Sequence, residues 1–216
     1  CLDKSSRFYP AAAAIFFNQG QVCAAGSRLY VARQKFDAVT EALAKIAEQL
    51  RLGSGFDPNS QINPLVSRKQ QQRVCRYIHL GLEQGAQALC GGEAGEGAGY
   101  YVKPTVLVGM AQDACVVQEE IFGPVVVALP FDDLDQVVTL ANDSAYGLGA
   151  SIWSNNLQQV MQLIPRIKAG TVWVNSHNMI DPNMPFGGYK QSGIGREMGR
   201  AAIELYTESK SVCIAY

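Results

Sequence analysis

The chain lacks most of the features that would assign it a partner by composition alone. Its 216 residues hold 18 Lys and Arg against 19 Asp and Glu, a net charge of −1, so neither sign is in excess. That balance gives no electrostatic case for nucleic acid or for an anionic membrane surface. No apolar run approaches the roughly 18–20 residues that a membrane-crossing helix needs. The longest, Val125 to Pro130, reads as a buried strand. No secretory signal is visible, although the chain starts at Cys1 rather than Met. Cysteine occurs six times, at 1, 23, 75, 90, 115 and 213, never as a C-x-x-C pair, and His79 and His177 are far apart in sequence. That spacing offers no metal site. Scattered cysteines in a domain of this size fit a reducing cytoplasm better than a disulfide scaffold, and Cys75 and Cys90 read as packing residues. Internal repeats, low-complexity tracts and a G-x-x-x-x-G-K-S/T phosphate loop are all missing. The segment Gly193-Ile194-Gly195-Arg196-Glu197-Met198-Gly199 fails as a dinucleotide fingerprint. Its third glycine comes one residue late, and no hydrophobic strand precedes it.

What is present is enough apolar material, 48% of the residues, to build one domain with a small appendage. Helical spacing marks Pro10 to Gln19, Gln34 to Leu50, Val66 to Leu82 and Leu157 to Ile167. Asp132 or Asp133 can cap a further helix carrying Leu134, Val137, Val138 and Ala141. Strands are expected at Arg28 to Ala32, Pro124 to Leu129, Gly149 to Trp153 and Thr171 to Val174. Tyr101 to Val108 is another, with Pro104 implying an edge or a strand start. Alternation of this kind predicts βαβ units on a mostly parallel sheet. Ser209 to Tyr216 is a β-prone tail with no helix after it, suited to pairing with an exposed sheet edge of its own or of a partner.

The most informative stretch is Phe16-Phe17-Asn18-Gln19-Gly20-Gln21-Val22-Cys23-Ala24-Ala25-Gly26-Ser27-Arg28. It sets one cysteine between a helix and a strand, flanked by small residues that let a substrate approach the sulfur. A thiolate is a strong nucleophile, and free N–H groups at turns help stabilise it. On local chemistry alone, Cys23 could equally be one more small buried hydrophobe.

Two further blocks change that balance. One is Glu119-Glu120-Ile121-Phe122-Gly123-Pro124. The other runs Gly170-Thr171-Val172-Trp173-Val174-Asn175 and then from Pro185-Phe186-Gly187-Gly188-Tyr189-Lys190 to Gln191-Ser192-Gly193-Ile194-Gly195-Arg196-Glu197. With the Cys23 stretch, in this order and spacing, they resemble the C-terminal, catalytic half of the NAD(P)-dependent aldehyde dehydrogenases over essentially the whole chain. More narrowly, Gln61 to Arg68, the pair Tyr100-Tyr101 and Asn175-Ser176-His177 resemble bacterial phenylacetaldehyde dehydrogenases.

The resemblance implies a three-layer α/β catalytic domain over residues 1–205, its strands after 28, 124, 149 and 171 in one largely parallel open sheet. An oligomerisation tail over 206–216 would join a sheet crossing between subunits of a homo-oligomer. It makes Cys23 the nucleophile that attacks an aldehyde, forming a thiohemiacetal and then a thioester. It makes Glu120, Phe122 and Gln70 the contacts of NAD or NADP, and Asn178, Ile180 and Phe186 the contacts of the aldehyde. His177 is then expected to make a local hydrogen bond rather than act as a base. The family's glutamate base, its side-chain amide for the oxyanion and its cofactor-binding domain lie upstream of the region matched; Asp3 is acidic, but its context does not fit the base. The expectation is therefore a cytoplasmic dehydrogenase acting on an aryl aldehyde, of which this chain alone is inactive. The alternative is a stand-alone, non-catalytic binding or assembly remnant.

Overall fold

The computed structural model describes residues 9–216; Cys1 and Asp3 lie outside the described residues. The first helix, α1 (Tyr9–Phe16), is alanine-rich and buries Ala12, Ile15 and Phe16. It ends earlier than its periodicity predicts. Asn18 (φ 48°), Gln19 (φ 56°) and Gly20 (φ 70°) all take the left-handed conformation, which no α-helix can continue.

The chain then crosses β1 (Arg28–Ala32), α2 (Phe36–Gln49) and α3 (Arg68–Glu83), where the Ser67 side chain accepts from the Gln70 N–H at the N-terminus. Next come β2 (Gln87–Cys90), β3 (Thr105–Val108), the short α4 (Cys115–Gln118) and β4 (Val125–Phe131). These four strands form one sheet in the order β1-β4-β3-β2. The β1/β4 and β3/β4 pairings are parallel and β2/β3 is antiparallel. Pro104 therefore marks the start of β3, an internal strand, and not an edge.

The sheet is covered on both faces, which is why β4 reads as an uninterrupted apolar run. Successive residues point to opposite sides. Val106 and Val126 pack against Ile15, Phe16, Leu43 and Ala47 of α1 and α2. Leu107, Val125 and Val127 pack against Val74, Ile78, Val116 and Val117 of α3 and α4. The result is a mixed α/β arrangement of three layers.

After β4, Asp133 caps α5 (Leu134–Asn142), its carboxylate accepting from the Gln136 N–H at 2.8 Å. The remaining elements are β5 (Tyr146–Gly147), β6 (Gly149–Ile152), α6 (Leu157–Leu163), β7 (Thr171–Val174), β8 (Tyr189–Lys190) and α7 (Ala201–Glu204). Helix α6 tightens into a 3-10 turn at Ile164–Arg166. Pro165 has no N–H with which to continue an α-helix.

Here the single sheet expected from the alternation is not found. Strands β6 and β7 form their own parallel pair, and β5 pairs antiparallel with β8. In the loop before β1, the N–H groups of Ala25, Gly26 and Ser27 bond to the carbonyls of Val22, Ala14 and Ala25. Residues 209–216 form no strand; Val212, Ile214 and Tyr216 are exposed.

Candidate active site

Cys23 and Ala24 are the central residues of a turn closed by the Ala25 N–H donating to the Val22 carbonyl at 3.0 Å. Cys23 is exposed at its tip, while Ala24 beneath it is buried. Among the described residues the Cys23 N–H makes no hydrogen bond, so a donor lies free beside the sulfur. Cys90 is buried and Cys75 half-buried. Burial pushes the Cys90 thiol up to about 11 and also raises that of Cys75, as suits packing residues.

The turn is tied to its surroundings on both sides. Downstream, the Gly26 N–H donates to the Ala14 carbonyl of α1 at 2.9 Å. Upstream, the Gln21 side chain accepts from the Val66 N–H at 3.0 Å. Gly20 abuts Gly123 so closely that a Cβ on Gly20 would overlap the Gly123 carbonyl. With φ at +70°, the position admits glycine on two counts. This contact brings the Cys23 stretch against the Glu120 block.

One face of α3 holds that block in place. The Gln70 side-chain nitrogen donates to the carbonyls of Ile121 (3.1 Å) and Phe122 (2.9 Å). Arg73 donates to the Glu120 carbonyl at 2.6 Å, and the Tyr77 hydroxyl to the Glu119 carboxylate at 2.6 Å. Burial first, and the bond to Glu119 second, push the Tyr77 phenol up, keeping it a donor. With Val74, against which Gly123 packs, these contacts fall at i, i+3, i+4 and i+7. Two adjacent acids are thereby separated in role. Glu119 is tied down, whereas the Glu120 carboxylate is exposed and makes no side-chain hydrogen bond among the described residues. Phe122 sits half-buried at φ 60°, a conformation that a bulky residue adopts only where its surroundings impose it. Gln70 thus grips the backbone of the two residues that follow Glu120.

A cleft of about 400 Å³ opens beside the turn. Phe17, Val22, Trp153 and Met179 give it apolar walls, with Ala13 and Ala14 of α1 behind. Its polar lining comes from the segment Asn175 to Asn178. Asn175 (φ 51°) pins the start of that segment, its side chain accepting from the Ser154 N–H (2.9 Å) and donating to the Ser154 carbonyl (3.0 Å). Trp173 donates through Nε1 to the Met179 carbonyl at 2.8 Å.

Of the three residues expected to meet the aldehyde, Asn178 (φ 55°) lines this cleft. Ile180, half-exposed, and Phe186, bridged to Glu197 through main-chain bonds of 2.8 and 2.7 Å, lie outside its lining. Phe17, Val22 and Trp153 escaped the sequence reading. Phe17, six residues before Cys23 in the same stretch, carried the one available signal. His177 makes the local bond expected of it, its Nδ1 lying 2.6 Å from the Ser151 hydroxyl.

The sequence model of the aldehyde dehydrogenase family covers residues 3–212. The chain is 52% identical over 208 residues to a phenylacetaldehyde dehydrogenase of Pseudomonas fluorescens, covering 95% of this chain and 41% of that protein. It is 39% identical to a betaine aldehyde dehydrogenase of Bacillus subtilis, over 92% of this chain and 41% of that one. The structure of an aldehyde dehydrogenase of Bacillus cereus in complex with NAD+ superposes with a TM-score of 0.94 at 47% identity, covering 97% of this chain and 43% of that one. The chain thus spans about two-fifths of the length of these relatives. Over that span, in sequence and in fold, it belongs to the aldehyde dehydrogenase family.

Proposed function

We propose that this chain supplies the nucleophile and the nicotinamide-side contacts of an NAD(P)-dependent aldehyde dehydrogenase whose substrate is an aryl aldehyde of the phenylacetaldehyde type. The observation that carries this reading is Cys23, exposed at a turn with a free N–H and held against the Glu120 block. The Cys23 thiolate adds to the aldehyde carbonyl, and the Cys23 N–H receives the developing oxyanion. Loss of hydride from the carbonyl carbon leaves a thioester on Cys23. Water then cleaves it to the carboxylic acid and the free thiol. A thiol suits both halves, since it attacks well and leaves well.

The residues present fit a nicotinamide cofactor. A carboxylate with no side-chain partner, Glu120, suits the two hydroxyls of a ribose, and Phe122 offers a ring against the nicotinamide. Gln70 keeps both in place through the backbone. When bound, the cofactor supplies the hydride acceptor. Asn178, with Phe17, Val22 and Met179, receives the aldehyde's side chain, and Ile180 and Phe186, outside that lining, meet it from the same loop. An apolar, aromatic-walled cleft favours an aryl side chain over a charged one.

Among the described residues, no acidic residue lines the cleft. We assign the base that activates the hydrolytic water, the second oxyanion donor and the grip on the cofactor's phosphates to residues outside these 216. Residues 1–205 then form the catalytic domain of a longer cytoplasmic homo-oligomer, and 206–216 are its oligomerisation tail. Assays of a longer protein containing this chain, with phenylacetaldehyde, benzaldehyde, short aliphatic and betaine-type aldehydes, test the substrate. The highest kcat/KM is expected for phenylacetaldehyde, and a clear preference for betaine aldehyde would contradict the reading. The 216-residue chain alone is expected to show negligible NAD-dependent turnover; robust turnover would overturn the division of the site.

A further inference from the structure

The Glu120 carboxylate stands on a segment with almost no main-chain bonding of its own. The Glu119 N–H donates to the Cys115 carbonyl and the Val125 N–H to the Gly123 carbonyl. Between them, among the described residues, no main-chain N–H makes a hydrogen bond. The carbonyls of Glu120, Ile121 and Phe122 accept instead from side chains of α3, the first from Arg73 and the other two from Gln70. Side chains thus hold this stretch where a sheet ladder or helix would otherwise do so. Glu119 is extended (φ −104°, ψ 153°), a conformation that turns neighbouring side chains to opposite sides. Its carboxylate meets α3, where the Tyr77 hydroxyl donates to it at 2.6 Å, and the Glu120 carboxylate is left exposed. Arg73 joins the two acids. Its guanidinium donates to the Glu120 carbonyl at 2.6 Å and lies over the Tyr77 ring, 5.1 Å from the ring centre. It makes no ion pair among the described residues, so the carbonyl and the ring set its orientation.

We propose that Arg73 and Tyr77 are positioning residues for the cofactor: together they fix the Glu119–Glu120 peptide so that the Glu120 carboxylate, and not that of Glu119, meets the nicotinamide-side ribose. The role rests on reading Glu120 as the ribose contact. Arg73 and Tyr77 act through Glu120 alone, which separates them from residues that grip the cofactor and from residues that only stabilise α3.

NADH binding to a longer protein containing this chain, followed by nicotinamide fluorescence, reads the role, with steady-state KM and kcat beside it. Arg73→Met keeps an unbranched apolar stem but donates nothing. It is expected to weaken NADH binding about tenfold and to raise the KM for NAD+ alike, with the aldehyde KM and the melting temperature unchanged. Arg73→Lys, which still offers a cationic donor to the one carbonyl, restores most of the affinity. Tyr77→Phe removes only the hydroxyl and gives a loss of about threefold, which decides the matter should Arg73→Met fail to fold. A double-mutant cycle isolates the route: in a Glu120→Ala background, Arg73→Met should cost less than about twofold. NADH binding unchanged in both Arg73→Met and Tyr77→Phe would overturn the proposal. So would a tenfold loss that persists in Glu120→Ala, because Arg73 would then act on the cofactor or the fold directly. A wild-type protein that binds no NADH would remove the cofactor reading of Glu120 and the positioning role with it, a result distinct from NADH binding that ignores Arg73 and Tyr77.

Discussion

The turn that carries Cys23 and the loop from Ser176 to Phe186 border the same cleft but are built in opposite ways. The turn is tied to α1, to Val66 and to the Glu120 block, and the residue beneath its cysteine, Ala24, is only 5% exposed. The loop turns three large apolar side chains outward, Met179 at 71%, Ile180 at 50% and Met184 at 61% exposure. Its described ties to the rest of the chain gather around Ser151, Trp173 and Asn175, at the Phe186–Glu197 bridge, and where the Gly199 N–H donates to the Pro182 carbonyl at 2.9 Å. The proposed nucleophile is therefore placed by the core of the domain, whereas the surface that would read the aldehyde is nearly independent of that core.

The largest effect that sharpens this contrast is expected at the nucleophile. Cys23→Ser in a longer protein containing this chain should cut aldehyde oxidation by at least about a thousandfold with an unchanged melting temperature. Activity near wild type would remove the turn from the chemistry. Gly20→Val strikes the seam between the two catalytic blocks, where φ is +70° and a Cβ meets the Gly123 carbonyl. It should cost roughly 2–4 kcal/mol in urea unfolding. Gln70→Met keeps the side chain's length but leaves the Ile121 and Phe122 carbonyls unpaired; a loss of about 1–3 kcal/mol and a raised KM for the cofactor are expected.

On the loop the pattern should reverse. Ile180→Ala should alter the ratio of kcat/KM between aryl and aliphatic aldehydes by about tenfold or more while shifting stability by under about 0.5 kcal/mol. A large stability loss there would break the contrast. The smallest effect concerns acid. Burial lowers His177 in the folded chain relative to its unfolded value of 6.5. The unfolded state thus binds the proton more readily, and this group's contribution, full above that value, declines as pH falls through it. His177→Phe should flatten that part of the stability profile measured by urea melts between pH 5 and pH 8, a window set by the ordinary histidine range.

Much of this was legible in the residues. Val125 to Leu129 could be read as a buried strand because an inner parallel strand is apolar on both faces. Asp132 or Asp133 marked a helix start through its own chemistry, and the spacing of Cys23, Glu120 and Phe186 carried the family. What stayed hidden depended on contacts far apart in sequence. Nothing local distinguishes Glu119 from Glu120 until Tyr77 ties one of them down. Gln70 stands in a run of three glutamines, and only the fold shows that it grips the backbone beyond Glu120. The division of the strands into separate sheets has no signature in apolar periodicity.

The central claim is that Cys23 carries the acyl group. The direct measurement is peptide mass mapping after rapid acid quench of a longer protein containing this chain, turning over phenylacetaldehyde with NAD+. A phenylacetyl adduct on the Cys23 peptide, absent without NAD+ and absent in Cys23→Ser, is the predicted result. Turnover with no adduct on Cys23, or with the adduct on another of the chain's cysteines, would contradict it.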